Sequence, residues 1–215
     1  MTPGESSEIG RRPRQRRSAA TRQALYEEAL RQFAAHGVEA TRVEDVVAAA
    51  GASWGTFFRY FPRKEDVLLE MTAEHLRLHV GPVVDASLAA RRPTRDAVLE
   101  LLLALAPADH PPALHTAALR ETFANQQRFA AMQQEGDRPL VMLCYALLAE
   151  GQRRGEVRAD VDALSLAMTV VAGVLFPLVQ TGFGSGPTLD AALRRSFSIV
   201  WPGVDAAAAL TVGAE

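Results

Sequence analysis

The sequence predicts an all-α fold: an N-terminal three-helix helix-turn-helix domain followed by a larger helical body, about nine helices in all. Two observations predict it. Apolar residues recur at i, i+3, i+4, i+7 along most of the 215 residues, and strand signals are nearly absent. Residues 37–64, GVEATRVEDVVAAAGASWGTFFRYFPRK, form two short helical patterns around a tight glycine turn, with a basic cluster after the second.

Within this stretch each element has a local cause. A first helix is expected from about Ser18 to His36, buried along Leu25, Ala29, Phe33 and Ala34 and closed by Gly37. Thr41-Arg42-Val43-Glu44 has the form of a capping box, with Thr41 as the cap and Arg42 free to meet a phosphate. Val43, Val46, Val47 and Ala50 share one helical face, and Gly51 supplies a left-handed stop. Ser53 can cap the next helix, whose Trp54, Phe57, Phe58 and Phe61 repeat the same spacing until Pro62 ends it. In such a unit the second helix of the pair enters the major groove with its N-terminal residues at the base edges.

Residues 21–69 resemble the N-terminal domain of the TetR family of transcriptional regulators. The resemblance rests on Ala29, Phe33, Gly37, Thr41, Val43, Val46, Ala48, Ala50-Gly51, Ser53, Gly55-Thr56, Tyr60-Phe61, Lys64-Glu65 and Leu68, at fixed offsets without a gap. It implies a phosphate contact from Lys64, and position and residue type make Thr41, Arg42, Ser53, Trp54, Gly55, Thr56, Phe58, Arg59 and Tyr60 the other candidate DNA contacts. Departures from the family pattern are Arg42 in place of a second Thr, Phe58 in place of Tyr, and Trp54 where a polar residue is common.

The residues themselves leave several roles open. Val46, Val47, Phe57 and Phe61 belong to the core. Trp54 and Phe58 suit either a buried staple or an apolar contact with a thymine methyl or the sugar-phosphate wall. Arg59 suits a bidentate contact with guanine, and equally a phosphate contact or a solvated position. Ser53, Gly55, Thr56 and Tyr60 suit phosphate contacts or a close approach of the backbone.

Charge supports the same end of the chain. Residues 11–22 hold six arginines and no acid, and the arm at 1–17, including Arg14, Arg16 and Arg17, is expected to be disordered. It either enters a minor groove or simply attracts phosphates. Residues 1–64 carry eleven basic and seven acidic residues, whereas 65–215 carry twelve and eighteen. The net charge of −2 therefore hides a basic head and an acidic body.

The domains expected are the arm at 1–17, the helix-turn-helix domain at 18–64, a ligand-binding and dimerisation domain at 65–203, and a frayed tail at 204–215. In the body, a helix is expected over 63–90 with a bend at Gly81-Pro82. Further helices are expected from Pro93 and from Pro111-Pro112 onward. A long one follows over about 125–154, kinked near Gly136 and Pro139. Asp160 is expected to cap a helix to about Thr181, and Thr188 the last one to about Trp201.

Ala163 to Pro187 contains no charge, so that helix must be buried or in lipid. Polar interruptions and the lack of basic flanks argue against a membrane span. Pairing across a two-fold axis, through Leu166, Val170, Gly173, Val174, Leu178, Leu193 and Phe197, explains the pattern better. The resemblance, too, places a dimer interface on the last two helices.

A small-molecule effector is expected between body helices, with His75, His79, Phe123, Met142, Tyr145, Met168 and Phe176 as lining residues. His75 and His79 have i, i+4 spacing but no third ligand at a recognised distance, so no metal and no cofactor is expected. Cys144 is the sole cysteine and sits in an apolar run, which suits an inert core thiol in a reducing cytoplasm. No phosphate loop, nucleophile elbow or paired carboxylates argue for catalysis.

These features imply a non-enzymatic, cytoplasmic, homodimeric regulator that binds a near-palindromic DNA operator, most simply a ligand-responsive repressor. The alternatives are the same fold acting as an activator or without an inducer, and an all-helical enzyme with a DNA-binding head.

Overall fold

The structure, a computed structural model, describes residues 6–105, 110–132, 137–181 and 189–207, with side chains described over these except 6–15, 176–181 and 189. Among the described residues the regular structure is helical, and the only strand-like pairing is a single bridge. The helices are α1 (Ser6–His36), α2 (Val43–Ala49), α3 (Trp54–Tyr60), α4 (Asp66–His75), α5 (Gly81–Ala89), α6 (Thr94–Leu103), α7 (Pro112–Ala124), α8 (Gln126–Met132), α9 (Leu140–Arg153), α10 (Ala163–Thr181) and α11 (Leu189–Val200). The chain divides into two compact units, Met1–Glu70 and Met71–Glu215.

In the first unit α1 packs on α2 and α3. Leu25, Ala29, Phe33, Val46, Val47, Phe57 and Phe61 are buried, as their spacing predicts. Gly37 (φ 82°) and Gly51 (φ 63°) take the left-handed conformation that closes α1 and turns α2 into α3. Ser53 caps α3 as expected, its Oγ accepting from the Thr56 amide at 3.2 Å.

Four expectations for this unit need correction. Ala34, expected in the buried stripe of α1, is exposed. The capping box at Thr41 is absent. The Thr41 hydroxyl turns back and donates to the Gly37 carbonyl at 2.8 Å, and Arg42 occupies the N-cap with no side-chain bond. Residues 6–17, expected to be disordered, continue α1 as helix, although Gly10 and Pro13 within it disfavour one. The first compact unit runs on to Glu70, past the boundary expected at Lys64, and the first turn of α4 is tied into it. Arg22 of α1 pairs bidentately with Glu70, and Asp66 accepts from the Arg63 amide at 2.9 Å.

In the second unit α10 packs against α9 and α11, and α9 against α6. Their contacts enclose Leu101, Leu102, Leu143, Cys144, Leu147, Leu148, Val170, Val174, Leu193 and Phe197. Gly151 lets α9 approach α6, since a Cβ there would lie 2.5 Å from Thr94 Oγ1 and 2.7 Å from Val157 Cγ2.

The bend expected at Gly81-Pro82 is a π-helical turn over Leu76–Val80 that runs α4 into α5 without a break. The helix expected over 125–154 is two helices, with Pro139 starting α9. The cap of α10 is Asp162, which accepts from the Ser165 amide at 2.9 Å, while Asp160 pairs with Arg158 instead. The Thr188 cap lies outside the described residues. Residues 204–207, expected to fray, are tied down. Val204 is buried, Val157 and Asp205 form an antiparallel bridge, and Arg158 N donates to the Val204 carbonyl at 3.1 Å. No described helix is long and apolar enough to cross a membrane.

Candidate nucleic-acid interface

Helix α3 has two faces of different character. Phe57 and Phe61 are buried, while Trp54, Gly55 and Arg59 are exposed and Thr56, Phe58 and Tyr60 are half-buried. Trp54 is 56% exposed, so it is not a buried staple. Its ring lies 4.3 Å from that of Phe58 between centroids. A Cβ on Gly55 would meet nothing within 4 Å, leaving the start of α3 open to close approach.

Arg59 is held beside the C-terminal end of α3. Its guanidinium lies 4.8 Å from the Tyr60 ring centre, and Nη2 donates to the Tyr60 hydroxyl at 3.0 Å. That hydroxyl is 2.7 Å from Ser18 Oγ and donates to the Ser18 carbonyl at 3.2 Å. The Ser18 hydrogen bond holds the Tyr60 phenol below its usual range, with Arg59 adding to the effect. Just before Ser18 along α1, Arg16 and Arg17 are exposed; the Arg14 side chain lies outside the described set. Arg42 is exposed at the start of α2, with its Nε 3.8 Å from Glu44 Oε2.

Lys64 also has a structural role. Its Nζ donates to the carbonyls of Val38, Glu39 and Thr41 at 2.7, 3.1 and 3.1 Å. These bonds hold the turn between α1 and α2.

Of the expected ligand residues, Met142, Tyr145, Met168 and His79 are exposed. His75 is half-buried, with Nε2 2.7 Å from the Ala104 carbonyl and its ring 5.0 Å from that of His79. Phe123 packs against the core, and the Phe176 side chain lies outside the described set. Among the described residues no group of three His, Cys, Asp or Glu side chains could hold a metal ion.

Leu166, Val170, Val174, Leu193 and Phe197 are core residues within the chain, buried where α10 meets α9 and α11. Gly173 sits where a Cβ would lie 2.9 Å from Val200 Cγ2, and the Leu178 side chain is outside the described set. The outward apolar residues of α10 and α11 are instead Leu164, Met168 (58% exposed) and Ile199 (72% exposed). Spacing along a helix that is apolar on every side gave no means of telling these faces apart.

Comparison with known proteins agrees with this architecture. Residues 25–71 match the family described as bacterial regulatory proteins, tetR family. No curated protein matches in sequence. Among solved structures, FadR of Thermus thermophilus, a TetR-family transcriptional repressor in complex with lauroyl-CoA, is 23% identical, with a TM-score of 0.69 over 85% of this chain and 94% of that one. A structure assigned to the same family from Mesorhizobium loti is 17% identical, with a TM-score of 0.61 over 88% and 98%. The ketosteroid transcriptional regulator KstR2 of Mycobacterium tuberculosis is 21% identical, with a TM-score of 0.56 over 86% and 94%. Residues 25–71 therefore form a domain of the tetR family of bacterial regulatory proteins, and the chain carries the all-helical fold of that family's transcriptional regulators.

Proposed function

We propose that this protein is a cytoplasmic, non-enzymatic transcriptional regulator that binds a near-palindromic operator as a homodimer. A small-molecule effector binds the second unit and releases the DNA, which makes the protein a repressor. The observation that carries the DNA reading is the division of α3 into a buried Phe57–Phe61 face and an open face bearing Trp54, Gly55 and Arg59. Such a helix is fixed from behind while its N-terminal residues remain free for base edges. Thr56, Tyr60, Ser53 and Arg42 lie at its margins, where phosphates pass. Arg16 and Arg17 extend the positive surface along α1.

The homodimer is supported by the outward Leu164, Met168 and Ile199 on the last two helices. A two-fold dimer presents two copies of α3, and its site has matching two-fold symmetry. The effector reading is supported by the shared fold with FadR, whose structure holds lauroyl-CoA. Acyl thioesters of coenzyme A are accordingly the first effectors to try.

Selection of sites from a random DNA pool, followed by titration at two salt concentrations, tests the reading. Enrichment of one near-palindrome, with Arg59→Ala binding about tenfold more weakly or worse at fixed salt, supports it. Sequence-blind, strongly salt-dependent binding overturns it. Thermal shift and release of the selected DNA by lauroyl-CoA then test the effector class.

A further inference from the structure

We propose that Trp54, braced by Phe58, is a specificity-determining residue that reads the C5-methyl group of a thymine in the major groove. The inference rests on the DNA-binding reading above and adds the chemistry of one contacted base. Trp54 is the first residue of α3 and more than half exposed, while the opposite side of the helix is core.

An unbroken series of rings fixes the indole in place. Trp54 meets Phe58 at 4.3 Å between centroids, Phe58 meets Phe57 edge-on at 5.3 Å, and Phe57 meets Phe61 at 5.5 Å. The last two rings are buried. An exposed aromatic supported in this way has lost most of its rotamer freedom before any partner arrives, so little ordering remains on binding. Its position is preorganised by the core.

The chemistry of the pair limits what it can recognise. Phe58 has no polar atom, and Trp54 has a single N–H donor, so the pair is a poor partner for phosphate. On the base edges of the major groove the thymine methyl is the distinctive apolar group. Gly55 has open space where a side chain would stand, and exposed Arg59 on the same helix supplies the charge that draws the polyanion in. Occupancy by duplex DNA therefore fits both the apolar pair and its basic surroundings.

Replacing thymine by deoxyuridine removes only the methyl group, and it tests the proposal on the unaltered full-length protein. Within the selected site, one thymine in each half-site is expected to be sensitive. Its replacement in one half-site weakens binding by about fourfold, the worth of one buried methyl. Trp54→Ala binds the thymine and uracil sites equally. Its exposed position makes an unchanged thermal midpoint the check on folding.

Tolerance of uracil at every thymine, with sequence-specific binding retained, overturns the methyl contact and leaves the DNA-binding reading intact. Equal uracil sensitivity in the wild type and Trp54→Ala removes the role from Trp54. Failure to select any sequence overturns both readings together.

Discussion

The Tyr60 hydroxyl lies 2.7 Å from Ser18 Oγ, bridging residues 42 positions apart and fixing the end of α3 to α1 just beyond Arg16 and Arg17. Two surfaces that contact DNA in the proposed complex are therefore registered by one phenol. It accepts from Arg59 and from the Ser18 hydroxyl, and donates to the Ser18 carbonyl. Tyr60→Phe removes all three bonds and little else. The expected outcome is a lower thermal midpoint, by the worth of roughly one net hydrogen bond or about 1 kcal/mol, together with weaker binding to the selected DNA. Fluorescence titration and a melting curve measured side by side check both parts.

Lys64 makes a prediction of the opposite kind. Because its ammonium is bonded to three backbone carbonyls, Lys64→Met is expected to lower stability by about 1–3 kcal/mol. The midpoint of urea unfolding measures this. A lysine on a phosphate would instead change the salt dependence, by about one in the slope of log affinity against log salt. The slope for Lys64→Met on the selected DNA is expected to match the wild type, and a shallower slope would return Lys64 to the phosphate surface.

The first unit was the more legible half of the chain. Phe57 and Phe61 repeat at helical spacing between a capping serine and a proline, and local rules were enough to place α3 and its buried face. The same rules misassigned the Thr41 capping box and gave no sign of the structural bonds of Lys64, because the partners of both are backbone carbonyls at a turn. A hydroxyl can cap a helix or bond the preceding turn, and only the path of the chain decides which. In the second unit α10 is apolar on nearly every side, so its spacing does not show that Val170 faces the core while Met168 faces out. Packing by α9 and α11 buries Val170 and leaves Met168 outside. The cap at Asp162 rather than Asp160 is a two-residue error of the kind expected at helix ends.

That exposed face leads to a further prediction. Ile199 is 72% exposed on α11, and a two-fold interface would bury two copies of it at once. Ile199→Arg is expected to weaken the dimer by about 3 kcal/mol or more, roughly a hundredfold in dissociation constant. The fold of each protomer should survive, since the side chain does not enter the core. Sedimentation velocity across a dilution series measures the shift, and circular dichroism verifies the fold. An unchanged dimer would place the interface elsewhere. By contrast, Val170→Arg at an expected interface position should unfold the second unit, because Val170 is fully buried in it.

Cys144 separates the folded core from its surface by chemical reactivity. It is a fully buried free thiol in α9, and burial pushes its pKa up to about 12. An unfolded thiol titrates near its ordinary value, about 8.5. Above that pH the unfolded chain releases a proton that the folded chain retains, so the unfolded state is favoured. The contribution of Cys144 to stability is thus intact below about pH 8.5 and is lost as the pH rises towards 12. Cys144→Ala is expected to flatten the alkaline part of the stability profile while lowering stability at neutral pH through the cavity it leaves. Alkylation at pH 8 should proceed only through opening of the second unit, at a rate that climbs with urea. Rapid labelling of the native protein at pH 8 would mean that α9 opens locally, well short of global unfolding.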